Sequence, residues 1–153
     1  MEDVVFGYVA ELEGPAEWWA RQGDGAYAGE ERLPTLEPGP LEVIGIETAR
    51  PPEVARAAEA IGELEAKRIR ALGTVAATLC LVADGRLDAM VSLGPIRSVD
   101  AAAGQLLVRE AGGAVAFPDT ERATLDLGMR SRVIAARDQA TLERLRATFG
   151  PKH

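Results

Sequence analysis

The chain has 153 residues, of which 47% are hydrophobic and 27% are charged, which is typical of one globular domain with its own core. Its net charge of −7 argues against nonspecific binding to nucleic acid or to an anionic membrane. The single cysteine, Cys80, excludes an intrachain disulfide, and the only histidine, His153, argues against histidine catalysis or a histidine-ligated zinc. No apolar run is long enough to span a membrane and no basic N-terminal region precedes one, so we expect a cytoplasmic location.

The first forty residues favour antiparallel strands. Residues 4–12, VVFGYVAEL, are rich in strand-forming side chains and predict a strand. Gly23 and Gly25 interrupt the next segment, which indicates short antiparallel strands joined by a hairpin. The proline-rich segment 34–40, PTLEPGP, is the best internal boundary. We therefore divide the chain into residues 1–40 and 41–153.

Predicted strands and helices alternate in the second part of the chain. The apolar helix at 74–83 should be buried, with Cys80 as a small core residue, and Asp138 is the expected N-cap of the last helix. Repeated strand–helix units predict an α/β fold with a mostly parallel sheet flanked by helices. Strands are predicted at 41–46, 68–72, 88–93, 114–117 and 132–136, and helices at 51–66, 74–83, 100–111 and 138–149.

Ligands of open α/β sheets bind beyond the carboxyl ends of the strands, near helix N termini. Gly73 and Thr74 lie at such a junction, so their amides can point outward at an anion or a hydroxyl group. The alternative is a glycine that serves only a turn or helix packing, which is the commoner role at such junctions. Arg97 and Arg109 could contact phosphate, although exposed arginines of this kind are usually only solvated.

An acidic residue precedes the helix predicted at 100–111. In RSVDAAAGQLLVREAGG, residues 97–113, Asp100 stands before a run of small and apolar residues that ends at Gly112 and Gly113. This glycine pair suits a left-handed helix end. Asp100 could cap the helix N terminus, or it could hold a cation, because the positive helix end keeps a carboxylate ionised as a hard metal ligand must be.

Several segments together resemble the inositol monophosphatase family of magnesium-dependent, lithium-sensitive phosphatases. The most distinctive is residues 71–119, which contain VDAAAG, an Asp after a hydrophobic residue and before small residues and Gly, followed by REAGG. RSRVIAA at 130–136 also fits, and residues 4–33 resemble the strands before the second half of these enzymes. The resemblance implies the C-terminal half of the family's fold, with residues 1–40 as remnant strands of its first, α+β domain.

The resemblance assigns roles to five positions. The Asp of VDAAAG is a metal ligand in the family, which implies that Asp100 holds Mg²⁺. The turn before the buried helix contacts substrate, which implies that Gly73, Thr74 and Val75 bind substrate. Ser92 stands where animal enzymes have a glutamate that binds an inositol hydroxyl, so the same comparison makes it a substrate-binding position. Serine in place of that glutamate leaves other sugar or nucleotide phosphates open as substrates.

One family motif has no counterpart in this sequence. An upstream glutamate and an Asp-Pro-hydrophobic-Asp-Gly-Thr motif provide the other metal ligands in the family. Two-metal phosphoryl transfer needs several carboxylates, and Asp100 alone cannot provide them. We therefore expect the chain to supply the C-terminal half of a magnesium-dependent phosphate monoester hydrolase, as a fragment or a split half, and to be inactive alone. The alternative is a degenerate, non-catalytic module for binding or assembly.

The ligands and partners implied by the resemblance are few. The substrate is a small phosphorylated metabolite, such as an inositol phosphate, a fructose bisphosphate or a nucleotide bisphosphate, and the cofactor is Mg²⁺. The strand at 4–12 would belong to a larger sheet, and an open apolar edge favours self-association or a partner that supplies the missing half. No nucleic acid or membrane partner is expected.

Overall fold

The structure is a computed structural model that describes residues 4–120 and 128–150. Among the described residues, none of the helices has the length and hydropathy of a membrane span. The strands are β1 (Phe6–Ala10), β2 (Glu17–Arg21), β3 (Gly25–Ala28), β4 (Glu31–Arg32), β5 (Val43–Glu47), β6 (Arg68–Arg70), β7 (Ala89–Ser92), β8 (Ile96–Arg97), β9 (Ala114–Ala116), β10 (Arg130–Ser131) and β11 (Ile134–Ala136). The helices are α1 (Pro51–Glu63), α2 (Val75–Ala83), α3 (Ser98–Glu110) and α4 (Gln139–Phe149).

The first four strands form an antiparallel sheet in the order β1-β2-β3-β4, which confirms the predicted strands and hairpin. Its inner face contributes Trp18 and Ala20 to the core beside α2 and α3. On the other face, Tyr8 lies opposite Trp19, and the Trp19 ring stacks on Tyr27 with centroids 4.1 Å apart. Phe6 and Tyr8 remain more than half exposed, so this aromatic face has no cover within the described residues.

A second sheet has five strands in the order β6-β5-β7-β11-β9. The pairings of β5 with β6 and β7 are parallel, and those of β11 with β7 and β9 are antiparallel. The α/β class is confirmed, but the sheet is mixed where we expected it to be mostly parallel. The described residues between β9 and β11 contain no helix, and without a crossover helix a chain returns antiparallel.

Alternate residues of the central strands supply two cores. Met90 and Ala135 face α2 and α3, which lie between the two sheets, whereas Ile44 and Ile134 face the core that contains Phe149 of α4. As predicted, Cys80 is buried, Asp138 caps α4 through Thr141 N–H at 2.7 Å, and Gly112 follows α3 with φ of 90°. The division at residues 34–40 stays a prediction.

The thiol of Cys80 gives a test of the buried core around α2. Burial raises the pKa of this thiol to about 12, and the nearby Asp84 carboxylate adds to the shift. Almost no reactive thiolate then forms at mildly alkaline pH. We expect the folded chain to resist iodoacetamide under these conditions and the denatured chain to react. Rapid alkylation of the folded chain, followed by mass spectrometry, would contradict this packing.

The contact between β1 and α3 gives a second test. A Cβ added to Gly7 would lie 2.8 Å from Ala103 Cα and 3.0 Å from its carbonyl oxygen. Because these are backbone atoms, the helix must move, and we expect Gly7→Ala to lower the free energy of unfolding by about 1–3 kcal/mol. Gly62→Ala is the control, because nothing lies within 4 Å of the added Cβ in α1. Urea denaturation compares the two, and equal stability would show that the contact is not tight.

Candidate functional site

A cavity of about 810 Å³ lies beyond the carboxyl ends of the parallel strands β5, β6 and β7. The segments that follow these strands line it, together with the first residues of α2 and α3. This is the edge of the sheet at which ligands of α/β proteins bind. Of the predicted site residues, Gly73, Thr74, Val75 and Asp100 line this cavity together.

Glu47, the last residue of β5, holds the turn before α2. Its side chain is buried, with 3% of the residue exposed. One carboxylate oxygen accepts hydrogen bonds from Leu72 N–H at 2.9 Å and Thr78 O–H at 2.7 Å, and the other accepts from Gly73 N–H at 2.8 Å. The Gly73 amide is therefore bonded inside the protein, which corrects our expectation that it points outward. Its φ of 74° lies in the left-handed region, which glycine adopts more easily than other residues.

The N terminus of α2 is the part of this turn that meets the cavity. Thr74 caps the helix, since its hydroxyl oxygen accepts from Ala77 N–H at 3.5 Å, and its carbonyl accepts from Thr78 N–H. Val75 and Ala76 begin the helix and line the cavity. First-turn amides lack helical carbonyl partners, and the helix dipole makes this end positive. The backbone at 74–76 can therefore receive an anionic or hydroxyl-bearing ligand.

Asp100 lies in the first turn of α3, on the cavity wall formed by that helix. The helix begins at Ser98, two residues earlier than predicted, and its N-cap residue, Arg97, makes no side-chain capping bond. The structure thus does not support the N-cap alternative for Asp100. The carboxylate instead accepts from Arg97 Nε at 3.2 Å and Nη2 at 3.1 Å, and this pairing raises the pKa of Arg97. The Asp100 side chain keeps 38% of its surface exposed.

Ser92 and Arg109 lie apart from the other predicted residues. Ser92 is 1% exposed, and its hydroxyl oxygen accepts from Val133 N–H of the segment before β11 at 2.8 Å. It borders a second cavity of about 240 Å³ and not the larger one. Arg109 donates to Gln105 within α3 and does not line the main cavity. The Ser92 hydroxyl oxygen thus accepts a hydrogen bond from the sheet backbone, and the substrate role implied for Ser92 stays a prediction.

The carboxylates of the cavity determine how a metal ion could fit. Within residues 4–120 and 128–150 there is no group of three or more His, Cys, Asp or Glu side chains that could hold one. Glu47 is occupied by its three donors, and Glu53 accepts from the Thr48 hydroxyl and pairs with Arg50. The partially exposed Asp100 fits one ligand position of a hard cation, and its neighbours do not complete the site.

Residues 1–151 match the sequence model of the inositol monophosphatase family. The chain is 38% identical over 114 residues to a fructose-1,6-bisphosphatase/inositol-1-monophosphatase of Thermococcus kodakarensis, covering 72% of this chain and 41% of the relative. It is 31% identical over 150 residues to human inositol monophosphatase 1, covering 93% of this chain and 53% of the relative. The chain thus spans about half the length of the curated relatives it matches.

Solved structures share the fold. Inositol monophosphatase II of Staphylococcus aureus superimposes with a TM-score of 0.81 at 23% identity, covering 97% of this chain and 56% of that one. A Pyrococcus horikoshii protein with similarities to inositol-1 monophosphatase also gives 0.81, at 25% identity, covering 96% and 58%. The four-stranded sheet, the five-stranded sheet and the four helices are therefore those of an inositol monophosphatase fold. The chain belongs to the inositol monophosphatase family, which confirms the resemblance carried by the segment around Asp100.

Sequence reasoning missed Glu47, although one signal pointed to it. An acidic residue ends the apolar strand VIGIE, where a charge is expensive to bury unless it is hydrogen-bonded. Glu47→Gln exchanges an accepting oxygen for an amide donor, so one of the three donors loses its partner. We expect the free energy of unfolding to fall by about 1–3 kcal/mol.

The control for this substitution is Glu63→Gln at the exposed end of α1. It removes the same charge from a solvated position, so we expect a change within about 0.5 kcal/mol. Urea denaturation of both variants at neutral pH makes the comparison. Equal stability of the two would show that the Glu47 carboxylate does not hold the turn.

Proposed function

We propose that the chain supplies half of the active site of a magnesium-dependent phosphatase of the inositol monophosphatase type, and that it is inactive alone. One observation carries this proposal: Asp100 and the turn 73–75 border the same cavity although 25 or more residues separate them in sequence. Membership of the family, whose matched relatives have phosphatase names, supports the reaction type.

The chain's own residues have separable roles in this proposal. Asp100 holds one Mg²⁺ from its place in the first turn of α3, where the positive end of the helix dipole favours negative charge. Bound Mg²⁺ supplies positive charge that lowers the pKa of a water molecule and stabilises the leaving oxygen of a phosphate monoester. Thr74 and Val75 orient the substrate alcohol against the start of α2, and Glu47 keeps their backbone in place.

The substrate and the partner follow from the same reasoning. A small phosphorylated metabolite is the ligand class that suits a cavity of about 810 Å³ bordered by the first residues of two helices and by charged side chains. The β1 segment exposes Val5, Phe6, Tyr8 and Leu12, each by more than half. Such a surface supports self-association or a partner that carries the rest of the site. We place the protein in the cytoplasm, without nucleic acid or membrane partners.

A second function is favoured by a specific observation. The described residues hold no cluster of three metal-ligating side chains, and Asp100 is paired with Arg97. A degenerate module that binds phosphorylated ligands or assembles with other chains, without catalysis, would have this property. The two functions differ in whether a complementing half restores turnover.

The test is complementation with the part of the Thermococcus kodakarensis relative that this chain does not match. We expect no phosphate release from inositol phosphate or fructose bisphosphate by the chain alone, and magnesium-dependent release from the mixture. In the mixture, Asp100→Asn should lower turnover at least about 100-fold, because a metal ligand is lost. Asp24→Asn, in the exposed hairpin turn before β3, is the control with the same change of charge.

Each other outcome counts against the proposal in a distinct way. Chelator-sensitive turnover by the chain alone would contradict the half-site, and full activity of Asp100→Asn would contradict the metal role. A stable complex without turnover would favour the non-catalytic module.

A further inference from the structure

Three carboxylates border the main cavity, and they differ in how much of their hydrogen-bonding capacity is already used. Glu47 accepts from three donors inside the protein, and Asp100 accepts from two nitrogen atoms of Arg97. Within the part of the chain that the structure describes, Glu53 accepts one hydrogen bond, which the Thr48 hydroxyl donates to its Oε2 atom. Because a carboxylate can accept about four hydrogen bonds, Glu53 keeps most of its capacity for a ligand.

The second carboxylate oxygen of Glu53 has no hydrogen-bond donor among the described residues. Its Oε1 atom lies 3.7 Å from Arg50 Nη1, which is an ion-pair distance and too long for a hydrogen bond. The Arg50 side chain is 76% exposed, so water competes for it and the pair contributes little stability. The Glu53 side chain is 12% exposed, and a carboxylate oxygen with so little access to water is stabilised when a ligand donates to it.

The position of Glu53 is defined by a close contact with the loop between β7 and β8. A Cβ added to Gly94 would lie 2.8 Å from Oε2 and 2.9 Å from Oε1 of Glu53, so both oxygens lie directly against this glycine. Pro51 and Pro52 precede Glu53 at the start of α1, where their fixed φ angles suit the first turn of a helix. The carboxylate therefore meets a ligand in a position that is set before binding, which lowers the cost of ordering it.

The charge of Glu53 also determines how a phosphate ester can lie in the cavity. A carboxylate repels a phosphate group, whereas the start of α2 at residues 74–76 attracts one. Because these two features lie on different helices of one cavity, the phosphate belongs at α2 and the alcohol part of the ester can extend toward α1. A hydroxyl group on that alcohol is the donor that Glu53 lacks.

We propose that Glu53 is a specificity-determining residue that accepts a hydrogen bond from a hydroxyl group on the alcohol part of the substrate. The site then prefers a phosphate monoester of a polyhydroxylated alcohol over one whose alcohol carries no further hydroxyl group. This proposal rests on the proposed function for the phosphate group and adds a role for Glu53, which that function leaves unused. A site with a largely buried acceptor rejects a ligand without the hydroxyl group, because the acceptor is then left unpaired.

The test is calorimetric titration of the chain with myo-inositol 1-phosphate and with cyclohexyl phosphate, which has the same ring and phosphate but no hydroxyl groups. Glu53→Gln replaces the charged acceptor by a neutral amide, so we expect about fivefold weaker binding of inositol phosphate. The same substitution removes a charge that repels phosphate, so cyclohexyl phosphate should bind up to about twofold more tightly. A residue that only stabilised the fold would change both affinities in the same direction.

A second variant separates the hydrogen bond from the charge. Glu53→Asp keeps the negative charge and withdraws the carboxylate by one methylene group, so it should weaken inositol phosphate binding and leave cyclohexyl phosphate binding unchanged. The control is Glu59→Gln, at an exposed position of α1 away from the cavity lining, which makes the same change of charge as Glu53→Gln. It should leave both affinities unchanged, and unchanged circular dichroism confirms that the three variants fold.

Three results overturn the role of Glu53. The first is a parallel change of both affinities in Glu53→Gln, and the second is no change in either affinity. The third is the absence of binding by both esters. Because titration needs no turnover, these results are distinct from failure of the complementation assay, which overturns the phosphatase proposal.

Discussion

The buried carboxylate of Glu47 fixes the geometry on which the cavity depends. Removing a charge from water is costly, and three donors offset that cost: two amides of the turn before α2 and the hydroxyl of Thr78 within the helix. The carboxylate thereby joins the end of β5 to the start of α2 across 25 or more residues of sequence. Because the Gly73 amide donates its hydrogen bond to Glu47, it is not available to a ligand. The backbone that faces the cavity is therefore that of residues 74–76 at the start of α2.

The opposite wall of the cavity consists of charged side chains, whereas the wall at α2 consists mainly of backbone. Asp100 on α3 pairs with Arg97 of β8 at 3.1 Å, and Arg130 of β10 lies opposite Arg97 in the antiparallel pairing of these two strands, so opposite charges lie side by side on this wall. The net charge of the chain does not reveal this, since −7 is a sum over the whole surface and the local field depends on placement.

Sequence patterns predicted those features of the fold that depend on residues close together in the chain. The helices, most strands of the second sheet and the Asp138 cap follow from periodicity and from contacts within a few residues. The features that were missed depend on long-range pairing. The paired strands β8 and β10 have two residues each, too few for a sequence pattern, and the hydrogen bond from Val133 N–H to Ser92 requires β7 and β11 to be neighbours. Likewise, a single sequence does not show that α3 begins at Ser98, which moves Asp100 from a cap into the first turn.

The central claim is that a phosphate ester binds between the Glu47-held turn and the first turn of α3. Amide chemical shifts of the ¹⁵N-labelled chain, followed during titration with fructose 1,6-bisphosphate, test it most directly. We expect the largest saturable shifts at residues 74–76 and 97–100, with Arg130 among the perturbed amides. Saturable shifts confined to the smaller cavity around Arg56 and Arg132, or shifts that never saturate, would contradict the claim.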